Sequence, residues 1–329
     1  MGNRSRPALL LSCWRFALFH NIAPKAYYKF RLFLPSHSAQ ARYYLQDHEA
    51  AVLFREARAR TDPALTERVD NKMEFDAFCR GAVLPCAETI ATSSMGLEPE
   101  WLVDPSALSG DLILKLTDSA SGAGVELAES DGEFWTIQGI PKTRDALLDH
   151  LRRKGSGGGA ILQKRLINHE AIRPLTGRGL STVRIVTAMA SDGSIELVTA
   201  AMRMATGSSI VDNIALGGLA APINLETGVL GMATGKDITL GWFQSHPDTG
   251  SRIEGFVVPF WSEACALTLR AHALIGAVPT IGWDVVISSG GPLLLEGNIG
   301  WDVELAQSLG QKPLLQTAVG EALRRALAL

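Results

Sequence analysis

The sequence predicts an α+β protein, with a helical first part followed by antiparallel or mixed sheets. Three observations predict this class. Apolar residues recur at helical spacing as far as residue 80, short aliphatic runs separated by glycine turns follow Pro105, and helical spacing returns at the carboxyl end. The 329 residues are 47% hydrophobic and 20% charged, with 32 Gly and 15 Pro, which excludes disordered, collagen-like and coiled-coil chains.

Helices are predicted first along the chain. One covers residues 46–68, with a break at Asp62-Pro63 because proline suits a first helical turn. Another covers Lys72 to Arg80, where Phe75 and Phe78 share one side and Gly81 ends the helix. Further helices are expected at 143–154, 261–274 and 316–329.

Strands are predicted from residue 111 onward. Their predicted ranges are 111–116, 134–137, 160–163, 183–187, 195–198, 283–287 and 293–296. Asp192-Gly193 is a hairpin turn signal between the fourth and fifth of these strands. Residues 288–292 connect the last two strands as a second hairpin.

Charge and cysteine content limit the function classes. The net charge of −3 argues against a nucleic-acid partner for the chain as a whole. The four cysteines are scattered, with no paired spacing and no nearby histidine cluster, so neither a disulfide framework nor a zinc site is expected. We therefore expect a cytoplasmic protein, because a reducing compartment suits such cysteines.

The first 46 residues differ from the rest. They contain seven basic residues and no Asp or Glu, which leaves 24 basic and 34 acidic residues for the remainder, and they hold nine of the 22 aromatic residues. The apolar run from Ala8 to Phe19 contains Arg15 and is shorter than the about 20 apolar residues that a membrane span needs. No small-residue cleavage site follows it, which argues against a signal peptide.

Two interpretations of residues 1–46 remain open. The segment is either interfacial, with basic side chains at anionic lipid headgroups and Trp14, Phe16, Phe19 and Phe33 inserted shallowly, or it is a helical extension packed on the acidic body. The first interpretation makes the protein peripheral on the inner face of the cell membrane. The second makes these residues a structural element.

The last predicted hairpin carries the strongest candidate site. Asp284 stands at the start of one strand, Glu296 at the end of the next, and Asn298 two residues further on. The two strand ends are adjacent in a hairpin, and Glu296 and Asn298 project to the same face by strand alternation. Two carboxylates and an amide oxygen are hard ligands suited to Mg²⁺.

This hairpin resembles the late signature of the ATP-grasp enzymes, in which an Asp, a strand-turn-strand and a Glu-x-Asn hold metal ions that bridge ATP phosphates. The resemblance runs from about Asn71 to Val303 and is closest to the sugar-transfer-associated group related to the α-L-glutamate ligases. It implies an ATP-grasp fold of two α+β subdomains that clasp ATP, with ATP and Mg²⁺ as cofactors. It also implies that Asp284, Glu296 and Asn298 are the metal ligands.

Other motifs follow the order of the same family. Small residues suit its phosphate loop because backbone N–H groups must approach the phosphate closely. The resemblance assigns to nucleotide binding the two phosphate lysines Lys72 and Lys115, the loop residues Ser121, Gly122 and Gly124, and the adenine hinge Gln163, Lys164 and Leu166. It assigns to the phosphate and acceptor side Arg184, Arg203 and Asp212.

Several positions also have a structural interpretation. Lys72 alone would be a solvated helix residue, and the glycine loop alone would be a hairpin turn. Arg184 lies in a β-run, and a buried arginine needs an anionic partner. His169 either contacts ribose or caps the hinge, and Asp302 and Glu304 either add charge near the metal or are solvated.

Two departures from the family pattern leave the acceptor open. The predicted domains are a helical region at 1–68 that replaces the usual preceding domain, a small ATP-grasp subdomain at 69–175 and a large one at 176–329. The residues after Asn298 also differ from those of the glutamate ligases. We therefore expect the family's nucleotide-binding residues to have the same roles in this sequence. We do not expect the same of its acceptor-binding residues.

The expected step is in-line transfer of the ATP γ-phosphoryl group. The favoured acceptor is a hydroxyl of a membrane-associated amphiphile, a lipid or lipid-linked glycan, with Asp212 as general base. A carboxylate activated as an acyl-phosphate and captured by an amine is the close alternative. A nucleotide-binding protein without turnover is the third.

Overall fold

The first quarter of the chain is helical. The computed structural model describes residues 5–94, 97–104, 108–117, 124–177, 179–207, 214, 217–236 and 241–328. The helices before the first strand are α1 (Arg6–His20), α2 (Pro24–Lys29), α3 (Pro35–Ser38), α4 (Asp47–Arg60), α5 (Pro63–Asp70) and α6 (Lys72–Gly81). The predicted break at Asp62-Pro63 is confirmed, and Asp62 caps α5 by accepting a hydrogen bond from the Ala64 N–H at 2.9 Å.

A seven-stranded antiparallel sheet forms the middle of the chain. Its strands are β1 (Thr89–Ser93), β2 (Glu100–Trp101), β3 (Leu112–Leu116), β4 (Glu126–Ser130), β5 (Trp135–Ile137), β6 (Ile140–Lys142) and β7 (Ala160–Lys164), in the spatial order β2-β1-β7-β3-β4-β5-β6. Helix α7 (Arg144–Lys154) packs on this sheet through Leu147 and Leu151.

A six-stranded antiparallel sheet follows. Its strands are β8 (Thr182–Met189), β9 (Ile195–Met204), β10 (Leu219–Pro222), β11 (Thr234–Gly235), β12 (Thr280–Ser288) and β13 (Gly291–Asn298), in the order β11-β10-β9-β8-β12-β13. The remaining helices are α8 (Trp261–Ile275), α9 (Val303–Gly310) and α10 (Ala318–Leu327). The α+β class and both predicted hairpins are confirmed, and the last helix is shorter than its predicted range of 316–329.

The six-stranded sheet separates two apolar layers. One face, which carries Ile185 and Trp283, packs against α8 and against Phe75 and Cys79 of α6. The sequence assigned α6 to the small ATP-grasp subdomain. In the structure, the apolar side of α6 packs in the same core as the six-stranded sheet. The opposite face carries Val186 and is covered by α4, α9 and α10.

A buried series of hydrogen bonds crosses the first of these apolar layers. The Trp283 Nε1–H donates to Thr187 Oγ1 at 2.8 Å, and Thr187 Oγ1 donates to His272 Nδ1 at 2.7 Å. The His272 Nε2–H donates to the Val278 carbonyl at 2.8 Å, which identifies the neutral tautomer. Burial lowers the pKa of His272 to about 4, so the imidazole is uncharged at neutral pH.

The basic amino-terminal region is helical and docks in part on the body. Tyr27, Phe30 and Leu32 are buried in their own small cluster, and the Lys29 ammonium donates to Glu304 of α9 at 2.6 Å. This docking matches the helical-extension interpretation for α2. None of the helices in the described ranges combines the length and the apolarity needed to cross a bilayer.

Candidate active site

A cavity of about 950 Å³ opens between the two sheets. The seven-stranded sheet contributes side chains from β3, β4 and β7, and the six-stranded sheet contributes side chains from β8, β9, β12 and β13. Every described residue that the sequence predicted for the site lines this cavity except Gly124. The fold therefore brings together groups separated by more than 200 positions along the chain.

Asp284 is at the centre of the site. Strand pairing places it opposite Arg184 on β8 and opposite Glu296 on β13. The Arg184 guanidinium donates to both Asp284 oxygens at 2.6 and 3.0 Å, and Arg203 Nη2 reaches the same carboxylate at 2.9 Å. Burial disfavours the charged carboxylate, but the two guanidiniums outweigh this effect and hold the pKa of Asp284 below its usual range. Arg184 thus has the anionic partner that its place in a β-run required.

Glu296 lies directly opposite Asp284 in the pairing of β12 with β13, so the two carboxyl groups affect each other's pKa. Burial and the negative charge of Asp284 raise the pKa of Glu296, while the ammonium groups of Lys115 and Lys72 oppose the rise. Asn298 is fixed beside them because its Nδ2 donates to the Gly282 carbonyl at 3.3 Å.

This donor set fits a hard divalent cation. The two adjacent carboxyl groups and the amide all offer oxygen ligands, and a cation bound between the carboxylates would relieve the repulsion between their charges. Within the described ranges, no group of three or more His, Cys, Asp or Glu side chains is arranged to hold a metal ion. The three candidate ligands are therefore two carboxylates and an amide. They include neither the thiolate nor the imidazole that zinc prefers.

The two predicted phosphate lysines meet in the cavity although they come from different elements. Lys72 opens α6, where Asn71 caps the helix by accepting from the Met73 N–H at 2.9 Å, and its Nζ donates to the Thr117 carbonyl at 3.4 Å. Lys115 lies on β3. Burial lowers the pKa of Lys115 to about 8, against the opposing charge of Glu296.

The predicted hinge connects the two sheets. Gln163 is buried on β7 and donates to Thr89 Oγ1 at 3.1 Å, whereas Lys164 is exposed and Leu166 is half-buried at the cavity wall. Asn168 pins the segment to the start of β8 through two hydrogen bonds with the Ser181 backbone, both 2.8 Å. His169 Nδ1 accepts from the Ala171 N–H at 3.1 Å, so this side chain caps the turn.

Three predicted site residues lie outside the described residues. They are Ser121 and Gly122 of the glycine loop and Asp212, the candidate base. Gly124, at the end of that loop, has φ +74° and would bring an added Cβ to 3.2 Å from Leu116. Its conformation suits glycine, which agrees with a tight turn there.

The structure adds residues that the sequence did not indicate. Thr182 accepts from Arg203 Nε and Nη2 at 3.0 and 2.7 Å, and it could have been found because it lies two positions from Arg184 on the same strand face. Gly282 lets Trp301 lie across the sheet, since an added Cβ would be 2.9 Å from the Trp301 Cβ. Asp302, which the sequence left as a charge near the metal or a solvated group, caps α9 by accepting from the Leu305 N–H at 2.8 Å.

Solved structures with a similar arrangement are distant in sequence. N5-carboxyaminoimidazole ribonucleotide synthetase in complex with ADP is 14% identical, with a TM-score of 0.47 over 80% of this chain and 52% of its own. L-amino acid ligase from Bacillus licheniformis is 12% identical, with a TM-score of 0.45 over 79% of this chain and 49% of its own. D-alanine–D-alanine ligase from Bacillus anthracis in complex with ATP is 10% identical, with a TM-score of 0.48 over 80% of this chain and 69% of its own.

The chain spans about half the length of the first two of these proteins. None of the curated proteins matches it. One protein family does, and its description is sugar-transfer associated ATP-grasp, matched over residues 57–320. Because this match covers most of the sequence and includes the candidate site, the chain belongs to the sugar-transfer associated ATP-grasp family.

Proposed function

We propose that this chain is an enzyme that uses ATP and Mg²⁺ to transfer the ATP γ-phosphoryl group to an acceptor. The observation that carries the proposal is the paired carboxyl groups of Asp284 and Glu296, set between two arginines and two lysines in one cavity. ADP and ATP complexes of the two solved structures named with those ligands support the choice of nucleotide.

Different residues along the cavity would bind the base, the phosphates and the metal ion. Ile113, Val125 and Leu127 offer an apolar wall for the base, and Lys72 and Lys115 lie where they would bind phosphate oxygens. Asp284, Glu296 and Asn298 would hold Mg²⁺, which would neutralise phosphate charge when bound. The guanidiniums of Arg184 and Arg203 would stabilise the charge that develops on the transferred group and on its acceptor.

A carboxylate is the first candidate acceptor. It is already deprotonated at neutral pH and needs no general base. Arg184 and Arg203 share one carboxylate, that of Asp284, so the trio keeps a net positive charge that favours an anionic acceptor. Attack of a carboxylate oxygen on the γ-phosphorus would form an acyl-phosphate and release ADP. An amine would then displace the phosphate, which makes the enzyme an ADP-forming carboxylate–amine ligase.

A hydroxyl is the second candidate acceptor, and the exposed face of α1 favours it. Leu10, Leu11, Trp14, Leu18 and Phe19 are 56 to 77% exposed on α1, and these five residues are together called the α1 stripe. Arg6 and Arg15 are exposed on the same helix. Apolar side chains beside cations suit an anionic membrane surface, so we propose peripheral membrane binding through this stripe and a lipid or lipid-linked alcohol as kinase substrate.

Product analysis distinguishes these functions. The protein is incubated with γ-labelled ATP, Mg²⁺ and separate lipid-extract and water-soluble pools of a cell lysate, and both ADP and the label are followed. A hydroxamate formed with hydroxylamine, together with ADP, identifies an acyl-phosphate and a ligase. Label on a product stable to alkali and hydroxylamine identifies a kinase. Nucleotide binding without ADP in any pool contradicts both and leaves a nucleotide-binding protein.

Substitution of Glu296 tests the assigned roles. Glu296→Gln should lower turnover by about a hundredfold or more, because the site loses a charge placed next to the reacting phosphates. Asp284→Asn should do the same but also leaves Arg184 and Arg203 without their anion. Glu226→Gln, an exposed acid-to-amide change outside the cavity, is the matched control and should keep full turnover. Normal turnover of Glu296→Gln would contradict the metal assignment.

A further inference from the structure

The cavity continues past the arginines into an apolar compartment. Val186 and Ala201 form its floor on the sheet, because Val186 lies two positions from Arg184 on β8 and Ala201 lies opposite Arg184 on β9. The compartment, called the apolar chamber, is lined by Val186, Ala201, Ile214, Trp301, Leu305 and Leu309.

Helix α9 forms the roof of the chamber. Leu305 and Leu309 are four positions apart and therefore lie on one helix face, and both line the cavity. The same two side chains pack with Ala201 and Ile214 in a separate small cluster. Strands β8 and β9 and helix α9 thus supply four of the six lining residues, and Ile214 and Trp301 come from connecting segments.

The two ends of the cavity differ in chemistry. Carboxyl, guanidinium and ammonium groups occupy the end at Asp284, while the side chains at the α9 end are aliphatic and indole apart from Thr199 and Asp302. Sugar hydroxyls placed against Leu305 and Leu309 would lose hydrogen bonds to water without replacement, which is unfavourable. An apolar ligand would instead gain dispersion contacts with these side chains and would lose no hydrogen bonds, as when dry apolar cavities bind hydrocarbons.

The size of the cavity agrees with two occupants. Its volume of about 950 Å³ lies at the upper end of the range of about 300–1,000 Å³ for ligand sites. A nucleotide at the lysine end leaves the α9 end for a second molecule.

We propose that the apolar chamber binds the apolar body of the acceptor and that the acceptor is an amphiphile. Its hydrocarbon chain would lie between Val186 and Leu309, and its oxygen-bearing head would lie against Arg184 and Arg203. The inference that this molecule is the acceptor rests on the proposed function, whereas its binding in the chamber does not.

Binding of chain-length series tests the chamber directly. Radiolabelled octanoate, decanoate and dodecanoate, and octyl and dodecyl glucosides, are equilibrated by dialysis with the whole protein below their micelle concentrations. Affinity should rise by up to about fourfold for each methylene that is buried. The two series distinguish a carboxylate head from a hydroxyl head. An affinity that does not change with chain length would overturn the proposal.

Two variants of α9 locate the binding. Leu305→Glu puts a carboxylate beside the proposed alkyl chain and should lower dodecanoate affinity at least tenfold. Ala306→Leu places a larger side chain, which is also a good helix former, at a cavity-lining position. It should shorten the chamber and therefore weaken the binding of dodecanoate more than the binding of octanoate. Because this second readout is a change in length preference, general loss of structure does not imitate it.

The control is an exposed apolar residue outside both the cavity and the α1 stripe. Ile140→Gln on β6 should leave alkyl-chain affinity unchanged. Loss of affinity in Ile140→Gln, or unchanged affinity in both α9 variants, would overturn the chamber as the binding site. Nucleotide affinity is measured in parallel. Its absence in the unmodified protein would contradict the proposed function without changing the chain-length result.

Discussion

At the scale of single residues, Asp284 shows how a buried charge is kept in this fold. Its carboxylate is 1% exposed and is compensated by two guanidiniums. A buried ion is tolerated only when its partners and hydrogen bonds replace water. Replacement of Asp284 therefore removes both a proposed metal ligand and the partner of two arginines. Replacement of Glu296 leaves these ion pairs in place and is the cleaner test of chemistry.

His272 provides a prediction about pH. Its pKa is about 4 in the folded protein and ordinarily about 6.5, so the unfolded chain binds the extra proton between these values. Stability contributed by the neutral imidazole is complete above pH 6.5 and falls as the pH decreases toward 4, with a total loss of about 3 kcal/mol. Urea unfolding at a series of pH values should show this loss.

The matched variants for this prediction are histidine-to-glutamine changes. His272→Gln removes the titrating group and should give a flatter dependence between pH 6.5 and 4, although its stability at pH 7 is lower. His48→Gln alters an exposed histidine and should keep the original slope. Equal slopes in the unmodified protein and His272→Gln would show that His272 does not produce the acid sensitivity.

The sequence predicted the residues of the site better than their partners. Asp284, Glu296 and Asn298 are close in sequence, and hairpin geometry alone brings them together. That Arg184 needs an anion followed from its place among aliphatic residues. That the anion is Asp284, 100 positions away, depends on the pairing of β8 with β12, which local patterns do not determine.

At the scale of elements, α9 and α1 are the parts that the sequence described least well. Asp302 and Glu304 were considered as charges near the metal or as solvated groups. In the structure Asp302 caps α9, and Glu304 pairs with Lys29 of α2. A short helix after a glycine-rich segment has too few apolar positions for a periodic signal, so both the helix and the apolar chamber beneath it went unpredicted.

The α1 stripe leads to a prediction about vesicle binding. The protein should sediment with vesicles that contain phosphatidylglycerol and not with purely zwitterionic ones, and binding should weaken at high salt because Arg6 and Arg15 contribute. The double variant Leu11→Gln/Trp14→Gln should bind at least tenfold more weakly, because it removes apolar area that enters the interface.

Point variants are preferable to deletion of the amino-terminal residues, because deletion would also remove the buried Tyr27, Phe30 and Leu32. Ile140→Gln, a change at an exposed apolar residue of β6, is the control and should bind like the unmodified protein. Failure of the unmodified protein to bind anionic vesicles at low salt would refute the membrane role. A change of oligomeric state in the double variant would indicate that a second copy covers the stripe.

At the scale of the whole molecule, α9 joins the amino-terminal region to the site. One side of the helix covers the apolar chamber, and the other holds Glu304 against Lys29 and Gln307 against the Leu45 backbone, which it contacts at 2.7 and 3.0 Å. The amino-terminal region therefore supports a wall of the proposed acceptor site, whichever surface α1 faces.

The Lys29–Glu304 pair provides a prediction about stability. Lys29→Met should lower the free energy of unfolding by about 3–5 kcal/mol, because it leaves the carboxylate of Glu304 largely buried without its cation. Urea unfolding measures the change.

A second substitution distinguishes the effect of the uncompensated charge from the effect of lost side-chain packing. Lys29→Met/Glu304→Leu should recover part of the loss, since an apolar pair of similar size avoids the uncompensated charge. The free energy of unfolding of Glu304→Leu alone is also measured. If the losses of the two single variants simply add in the double variant, the two residues do not interact.

The residues around the cavity also determine how fast an anion arrives. Within the described part of the chain, eight basic and four acidic residues line the cavity, although the chain as a whole has a net charge of −3. Positive charge is thus concentrated in a cleft with low-dielectric walls, which focus its field on an approaching anion. Stopped-flow association of a nucleotide should be accelerated at low ionic strength and should slow steeply as salt is added, while dissociation changes little.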